Sequence, residues 1–546
     1  MAQGNNERSI GVRFDNRGNP YWQSTTSPPD NSVGVCLMVP DRIIPVIFVP
    51  GVMGSNLIGK GADGKKHKWL LDSNETMLPW LIRGAEFRKR TLNPAQMEVY
   101  GEGKTGTGTS LPAEELKRRY WGEIANLSYG DALVWLENAL NDFDDHKNGV
   151  RMRLMSMDLG AEKGERPPTL EEIGLTYRYR FPVHACGYNW LASNRDSAKR
   201  LGQRIDTIIE RYRKERKKVE KVIVVTHSMG GLVARSCSEV LGYRDKILGI
   251  VHGVMPAIGA AAVYRRFKSG TENPGGSFGE WAQGKAASEI LGGDAAEMTA
   301  VLSSAPGPLQ LLPTPEYGNG WLQIEDGARR FNLPEKGDPY GEIYTVRGKW
   351  WSMCEDHLMN PLNKERNPAK YKAQQAADWK AFDELINQQV LPFHDDIAGK
   401  YHPVTHAFYG SGDRPNSFGN VIWKGNGGGW LRGNRDADVM GARPLDPGQV
   451  NEKRTVAAPL SGDGWMKGEH QTYKLAGPDE AGDGTVPRRS GIAPRKHCRS
   501  LLRVAVGHEP AYKPGEGPDN LRACQFTVRA IVQIAQAIQH TSLRYD

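Results

Sequence analysis

One serine stands between a buried strand and a helix, and this feature constrains the chain more than any other. The run Lys221–Val225 (KVIVV) is apolar and rich in β-branched residues, which predicts a strand buried on both faces. Gly231–Leu241 has apolar residues at helical spacing and predicts a helix that ends at Gly242. Ser228 lies in the short turn between them. Nucleophilic serines are commonly presented on a sharp strand-to-helix turn of this kind.

The residues around the serine support this interpretation with one departure. The usual pattern is Gly-x-Ser-x-Gly, because the turn leaves little room for bulk beside the serine. Gly230 fits the pattern, whereas Thr226 stands where the first glycine is usual. A serine that only caps the helix is the simpler alternative, but a cap needs neither the preceding His227 nor the second glycine, Gly231. We therefore predict that Ser228 is a nucleophile and that His227, Gly230 and Gly231 support its turn.

Strand and helix patterns alternate between residues 43 and 265, which predicts an α/β fold with a mostly parallel central sheet. The other strands are expected at Ile43–Val49, Tyr177–Ala185 and Ile247–Val251, and the other helices at Leu127–Phe143 and Ser197–Tyr212. Residues 266–400 break the alternation with Gly- and Pro-rich turns, aromatic residues and a long polar helix.

Strand patterns return at His406–Tyr409 and Leu501–Val506, and a closing helix is expected near Asn520–Ile538. These positions divide the chain into three parts. We expect an irregular N-terminal arm (1–40), a catalytic core (41–265 and 401–546) and a large lid or cap insertion (266–400).

Composition narrows the class of protein. The chain has 546 residues and a net charge of +8, with 39 % hydrophobic and 25 % charged residues, as in globular proteins. Its polar N-terminus lacks the apolar segment of a signal peptide, so synthesis in the cytoplasm without a signal peptide is expected. The six cysteines form neither a CxxC pair nor a metal-ligand spacing and are expected to be small buried side chains, while a Cys498–Cys524 bridge stays open. No cofactor and no metal are expected, although calcium dependence stays open because Asp142–Asp145 (DFDD) fits either a cation site or a solvated turn. The positive charge fits an anionic membrane surface or nucleic acid as a partner, but it is scattered, which favours a solvated basic surface over either.

A nucleophilic serine on this turn requires an acid and a histidine later in the chain, in that order. The histidine takes the serine proton, and the acid orients the histidine. Asp483 lies in the Gly-flanked loop Ala481–Pro487 (AGDGTVP), and Asp463 in Ser461–Gly464 (SGDG) is its rival. By the residues alone, either aspartate also fits a simple turn.

The best candidate for the base is His508, which follows the apolar run Leu501–Val506 and therefore lies at a strand end. Other downstream histidines are weaker, because they lie in or before a strand, before the acid or among basic residues: His252, His406, His470 and His497. The residues therefore predict a triad of Ser228, His508 and an acid that is either Asp483 or Asp463.

Acyl transfer also needs N–H donors for the oxyanion that develops on the substrate. The N–H of Met229, directly after the nucleophile, is one candidate. The other donor is expected in the glycine-containing loop Pro50–Asn56 (PGVMGSN), which follows the strand at Ile43–Val49.

Two of these motifs carry a resemblance to a known family. VPGVMGSNL at residues 49–57, together with THSMGGLVAR at 226–235, resembles the lecithin:cholesterol acyltransferase-like branch of the α/β-hydrolase serine lipases. Two further stretches agree with that branch, GYNW at 187–190 and FYGSG at 408–412. The resemblance implies an α/β-hydrolase fold, with Asp483 of GDGTVP as the acid and His508, after the last strand, as the base. The full predicted triad is therefore Ser228, Asp483 and His508. It also implies an oxyanion N–H from Met53, with Val52 as the alternative.

A second resemblance concerns the cap. Ser304–Tyr317 (SAPGPLQLLPTPEY) is similar to segments of bacterial phospholipase effectors that a type VI system secretes. It implies a toxin that degrades lipid at a membrane surface in the periplasm of a target cell. It further implies two partners, a cognate immunity protein and a component of the secretion apparatus, and no nucleic acid.

The sequence leaves other functions open beside a lipase or phospholipase. An acyltransferase would use the same triad and pass the acyl group to an alcohol. A triacylglycerol lipase or carboxylesterase would differ only in its substrate. A non-catalytic basic binding protein on a hydrolase scaffold is the most distant alternative.

Overall fold

The fold is built around a six-stranded parallel sheet, here called the central sheet. The computed structural model describes residues 7–23, 33–36, 38–61, 64–73, 75–76, 80, 83–143, 148–164, 166–271, 292–425, 435–461 and 470–545. In spatial order the strands are Val183–Ala185, Val46–Val49, Val222–His227, Ile247–Gly253, Thr405–Gly410 and Ser500–Val504. Each neighbouring pair is parallel, which confirms the predicted fold class and puts all carboxyl ends at one edge.

The strands of the central sheet are buried because helices cover both of its faces. Val46–Val49, Val222–His227 and Ile247–Gly253 are buried at every position, which explains their continuous apolar runs. The chain crosses from Val46–Val49 to Val183–Ala185 in one direction and then on to Val222–His227 in the other. Since crossovers between parallel strands are right-handed, the helices of these two connections lie on opposite faces.

Two pairs of helices follow from this geometry. Asn126–Leu140, in the first connection, packs against the closing helix Pro518–Ala535. Asn194–Lys214, in the second, contacts Gly230–Arg235 on the other face. Gly230–Arg235 continues as a π-helical turn, and Gly242 follows with a φ of +80°, as the sequence predicts for the residue that ends the helix.

A second, mixed sheet lies outside the central one. Its strands are Arg329–Leu333, Leu322–Asp326, Val421–Gly425, His470–Leu475, Thr455–Pro459 and Arg443–Pro444. The strands come from both sides of residue 400, where we place the end of the insertion, and Thr405–Gly410 of the central sheet separates them in sequence. The boundaries at 265 and 400 remain a prediction.

The other elements are short or peripheral. Further α-helices of the described residues are Ala85–Thr91, Ala113–Arg118, Val150–Arg153, Leu170–Thr176, Ala262–Ser269, Ala295–Leu302, Pro306–Leu309, Asp356–Met359, Pro368–Leu385, Leu391–Ile397 and Arg488–Gly491. A three-stranded sheet contains Lys66–Trp69, Leu57–Lys60 and Met97–Val99, and Arg42–Ile43 pairs with Lys218–Val219. None of the helices in the described ranges combines the length and apolarity needed to span a bilayer.

The N-terminal arm contains strands, although its sequence suggests an irregular segment. Glu7–Ile10 pairs with Val33–Cys36, and Val12–Phe14 forms a hairpin with Pro20–Trp22. The hairpin turn is closed by Asp15, whose carboxylate accepts the backbone N–H groups of Arg17 and Asn19 at 2.8 Å. The polar composition of the arm predicted an irregular segment because it gave no weight to this Asx-type turn, which joins two strands.

One other expectation needs correction, and one alternative that the sequence leaves open is resolved. The alternating stretch Tyr177–Ala185 is a strand only at Val183–Ala185, since its first residues belong to the turn after helix Leu170–Thr176. Cys498 and Cys524 are buried free thiols, so the disulfide left open by the sequence is not formed.

Candidate active site

Ser228 occupies the sharp turn between strand Val222–His227 and helix Gly230–Arg235. Its φ is +52°, a left-handed conformation that a non-glycine residue rarely adopts, and its N–H donates to the Gly253 carbonyl at 2.9 Å. A Cβ on Gly230 would lie 2.4 Å from the carbonyl oxygen of Val49. The crowding explains why the turn needs a small residue at that position.

The Thr226 departure from the usual pattern has a structural reason. The side chain of Thr226 is still within the strand, and its hydroxyl pairs with His252 Nδ1 on the neighbouring strand at 2.9 Å. The side chain is thereby accommodated within the sheet. Gly231 is tightly packed, because a Cβ there would lie 2.5 Å from Met255 Sδ.

The structure brings Ser228, His508 and Asp483 together in one hydrogen-bonded chain. His508 Nδ1 lies 2.8 Å from Asp483 Oδ2, and His508 Nε2 lies 2.8 Å from Ser228 Oγ. A carboxylate only accepts, so Nδ1–H donates to Asp483 and Nε2 accepts the hydroxyl of Ser228. The arrangement matches the geometry in which an imidazole can take a proton from a serine.

The loop that follows the acid holds its carboxylate. Asp483 Oδ1 accepts the N–H groups of Thr485 and Val486 at 2.9 and 2.7 Å, and the His508 N–H donates to the Asp483 carbonyl at 2.8 Å. Only 1 % of the Asp483 side chain is exposed, against 15 % for His508. At the carboxyl end of its strand, Gly410 leaves room for the acid, since a Cβ there would be 2.4 Å from Asp483 Cβ. The rival Asp463 lies outside the described residues.

The loop Pro50–Asn56 lies against the turn of Ser228. A Cβ on Gly51 would come within 3.0 Å of Ser228 Cβ, and Met53 has a φ of +65°. Two side chains fix this loop, Tyr188 of the GYNW stretch and Trp69, which we did not single out from the sequence. Tyr188 donates its hydroxyl to the Pro50 carbonyl at 2.8 Å, and Trp69 Nε1 donates to the Met53 carbonyl at 3.2 Å. Met229 is fully buried, and helix Gly230–Arg235 follows it directly.

His227 makes two buried hydrogen bonds beside the nucleophile. Its Nδ1 pairs with the Tyr129 hydroxyl at 2.9 Å, and its Nε2 pairs with the His508 carbonyl at 2.8 Å. Burial, together with the neighbouring His508, lowers the pKa of His227 to about 3, so its ring is neutral near pH 7. Sequence reasoning assigned His227 to support of the turn but did not identify Tyr129, which follows a helical core pattern.

A second serine–histidine pair lies at the amino ends of the strands of the central sheet, opposite the end where Ser228 lies. His406 Nδ1 is 2.7 Å from Ser500 Oγ, and the two residues face each other at the amino ends of their strands. Burial and the nearby Arg499 lower the pKa of His406 to about 3. His252 is also buried with a pKa lowered to about 3 by burial, as expected of a histidine in the core.

The segment Ser304–Tyr317 packs beside the tryptophans next to the Pro50–Asn56 loop. A Cβ on Gly307 would lie 2.3 Å from the Trp190 carbonyl oxygen, and the rings of Trp190 and Trp69 are 5.1 Å apart. Ser228 itself is only 3 % exposed. Across the described ranges, no three His, Cys, Asp or Glu side chains converge into a group that could hold a metal ion.

The parallel sheet and the strand–turn–helix around Ser228 define the α/β-hydrolase fold, as the sequence predicts. Residues 193–266, which include that turn, match the family described as the PGAP1-like alpha/beta domain. A solved structure, the crystal structure of the Tle4–Tli4 complex, matches with a TM-score of 0.71 and 28 % identity, covering 90 % of this chain and 98 % of that chain. A search of curated proteins finds no match. Fold, family match and structural neighbour together support an enzyme of the lipid-hydrolase type.

Proposed function

We propose that the chain is a serine lipase or phospholipase that hydrolyses acyl ester bonds of membrane lipids. The hydrogen-bonded chain from Asp483 through His508 to Ser228 carries this proposal, because it joins a nucleophile, a base and an acid at the carboxyl ends of the strands. Binding sites of open α/β sheets lie at this edge. The strained φ of +52° at Ser228 adds support, since such strain concentrates at functional positions.

In the proposed reaction, Ser228 Oγ attacks the ester carbonyl carbon while its proton passes to His508 Nε2. Asp483 accepts the Nδ1–H bond and stabilises the imidazolium that forms. Collapse of the tetrahedral intermediate expels the alcohol, which takes the proton from Nε2. Water then gives a proton to the same nitrogen and attacks the acyl-serine, and the fatty acid and free Ser228 are released.

We assign the oxyanion donors to the backbone N–H groups of Met229 and Met53. Each lies in a segment held close to Ser228, and neither N–H has to move with a flexible side chain. The bonds of Tyr188 and Trp69 to the carbonyls of Pro50 and Met53 would keep the second donor in place. Val52 remains the alternative for that donor.

The substrate and the biological role rest on similarity and charge. The resemblance of Ser304–Tyr317 to type VI phospholipase effectors and the net charge of +8 support action on an anionic membrane surface, in the periplasm of a target cell. The structural neighbour was solved as a complex of two proteins. By analogy we propose a cognate immunity protein as a partner, with a secretion-apparatus component as a second.

Product analysis of lipid vesicles tests this proposal. Mixed zwitterionic and anionic phospholipid vesicles are incubated with wild-type protein, Ser228→Ala and Ser500→Ala, and the products are identified by mass spectrometry. Ser500→Ala is the matched control, because it also removes a buried hydroxyl that pairs with a histidine. We expect lysophospholipid and free fatty acid from wild type and from Ser500→Ala. The rate with Ser228→Ala should fall by about 10⁴-fold or more.

Two further arms separate the alternatives. Acyl transfer to an added acceptor alcohol in preference to water would favour an acyltransferase. Hydrolysis of triacylglycerol or short-chain esters, with phospholipid left intact, would favour a neutral lipase or carboxylesterase. If wild type and Ser228→Ala release equal products, or if neither acts on any ester, the serine hydrolase proposal is wrong.

A further inference from the structure

A buried chain of hydrogen bonds connects the Pro50–Asn56 loop, the nucleophile turn and the base. The N–H of Gly51 donates to the Tyr129 hydroxyl at 3.1 Å, and that hydroxyl lies 2.9 Å from His227 Nδ1. His227 Nε2 lies 2.8 Å from the carbonyl oxygen of His508. Four residues that are distant in sequence are therefore linked in series.

The direction of each bond in this series is fixed by chemistry. The His508 carbonyl can only accept, so His227 Nε2 must carry the proton and donate it. A neutral imidazole then accepts at Nδ1, and the single proton of the Tyr129 hydroxyl must point there. The same hydroxyl oxygen accepts the N–H of Gly51. Each hydrogen bond of the series therefore has one donor and one acceptor, with no donor or acceptor left over, as a stable buried polar network requires.

Burial keeps this arrangement in one protonation state. Tyr129 is 4 % exposed and His227 is 3 % exposed. Burial raises the pKa of Tyr129 and lowers that of His227 to about 3, so both groups are neutral near pH 7. A neutral His227 can donate from Nε2 and accept at Nδ1 at the same time, which an imidazolium cannot do.

The glycines of the Pro50–Asn56 loop admit these two rings. A Cβ on Gly51 would lie 2.8 Å from His227 Nδ1, and a Cβ on Gly54 would lie 2.7 Å from Tyr129 Cε2. In the sequence, these glycines suggest only a loop whose N–H groups can turn toward a substrate. In the structure they also provide the space in which the loop backbone contacts Tyr129 and His227.

We propose that Tyr129 and His227 are positioning residues that couple the oxyanion loop to the catalytic base. Their role rests on the function proposed above. His227 holds the backbone of His508, and Tyr129 holds the Gly51 N–H beside Met53, so the two sides of the reaction centre keep a fixed separation. Neither side chain exchanges a proton with the substrate.

The central test is Tyr129→Phe, which removes the hydroxyl and leaves the ring. Loss of its two buried hydrogen bonds, the one to His227 and the one from Gly51, should lower kcat by about tenfold with KM little changed. The second-order rate of Ser228 labelling by a fluorophosphonate should fall in parallel. The matched control is Tyr179→Phe, because Tyr179 is buried at the amino-end edge and donates to the Leu543 carbonyl at 2.8 Å.

Two variants of His227 test the two halves of the series separately. His227→Gln offers an N–H near the position of Nε2, and His227→Asn offers an acceptor oxygen near the position of Nδ1. Each variant retains one hydrogen bond of His227 and loses the other, so each should lower kcat. His227→Gln has already lost the bond to Tyr129, so adding Tyr129→Phe to it should lower kcat little further. Such non-additivity is the mark of residues that act as a unit.

The outcomes separate this inference from the proposed function. A fall in kcat of threefold or more with Tyr129→Phe, absent from Tyr179→Phe, supports the coupling role. A smaller fall, or an equal fall in both variants, overturns it while leaving an active wild type as a serine hydrolase. A wild type without esterase activity or fluorophosphonate labelling overturns the proposed function and the coupling role together.

Discussion

Two serine–histidine pairs in the same sheet have nearly the same hydrogen bond and different surroundings. Ser228 lies 2.8 Å from His508 Nε2, and Ser500 lies 2.7 Å from His406 Nδ1. The first pair is at the carboxyl ends of the strands, where a loop supplies Asp483 to the other ring nitrogen. The second is at the amino ends, and the charged group that acts on its histidine is Arg499.

The difference shows that the bond alone does not make a reactive serine. A cation beside a buried imidazole opposes the protonated form, whereas a carboxylate on Nδ1 stabilises it. Ser228 also sits on a strained turn with a φ of +52°, while Ser500 begins a regular strand. Under the proposed function the first pair takes and returns a proton in the reaction, and we assign a structural role to the second.

Among variants that test this difference between the two pairs, the largest loss of activity is expected from Asp483→Asn, which gives His508 a neutral neighbour. We expect kcat to fall by about 10³- to 10⁴-fold, because an amide neither stabilises the imidazolium nor enforces the correct tautomer. The measurement is ester hydrolysis by the purified variant. Asp479→Asn is the matched control, since Asp479 also accepts two backbone N–H groups, from Gly419 and Asn420, without touching a histidine. Equal losses in the two variants would contradict the role of Asp483.

A smaller effect is expected from Gly410→Ala, which crowds the acid without removing it. The new methyl would lie 2.4 Å from Asp483 Cβ and 3.2 Å from its Cα, so the carboxylate must shift away from His508. We expect an activity loss of roughly ten- to a hundredfold, in keeping with the effect of an ångström of misplacement. Gly412→Ala is the control, because a Cβ there meets nothing within 4 Å. An active Gly410→Ala would show that the acid tolerates displacement, which kcat measurements on both variants would detect.

The smallest effect concerns the second pair and appears in stability. Because burial lowers the pKa of His406 from 6.5 to about 3, the unfolded chain binds a proton before the folded one does. The stability that the neutral ring provides is complete above pH 6.5 and is lost as the pH falls toward 3. His406→Asn should reduce the acid-induced drop in unfolding free energy, measured by urea denaturation between about pH 7 and 4.5, by on the order of 1–2 kcal/mol. An unchanged drop would mean that His406 titrates normally.

Much of the site could be predicted because its signals are local. A buried strand, a small-residue turn and a helix are adjacent in sequence around Ser228, and Asp483 and His508 each lie in a short loop near a strand end. The order of the three residues then limits the choice. The central sheet was predictable for the same reason, since its buried strands are continuous apolar runs.

The parts that were missed depend on contacts between distant residues. Tyr129 is 98 residues from His227, and Tyr188 is 138 residues from Pro50. Tyr129 looks like an ordinary buried aromatic residue of its helix, and the GYNW stretch names no bonding partner for Tyr188, so only the fold reveals the partner of each hydroxyl. The strands of the arm were missed because polar composition was given more weight than the turn at Asp15. The second sheet has the same difficulty, since its strands come from segments on both sides of Thr405–Gly410.

The edge position of strand Ser500–Val504 has a consequence for the synthesis of the protein on the ribosome. Ser228 and His508 are 280 residues apart, so a ribosome that adds 5–20 residues per second needs about 15 to 55 s to travel between them. During that interval the nascent chain carries its serine without a partner for the proton. The last strand, Ser500–Val504, joins an edge of the sheet, and His508 follows it in the chain. Translation itself thus delays completion of the Ser228–His508 pair, on which the proposed activity depends.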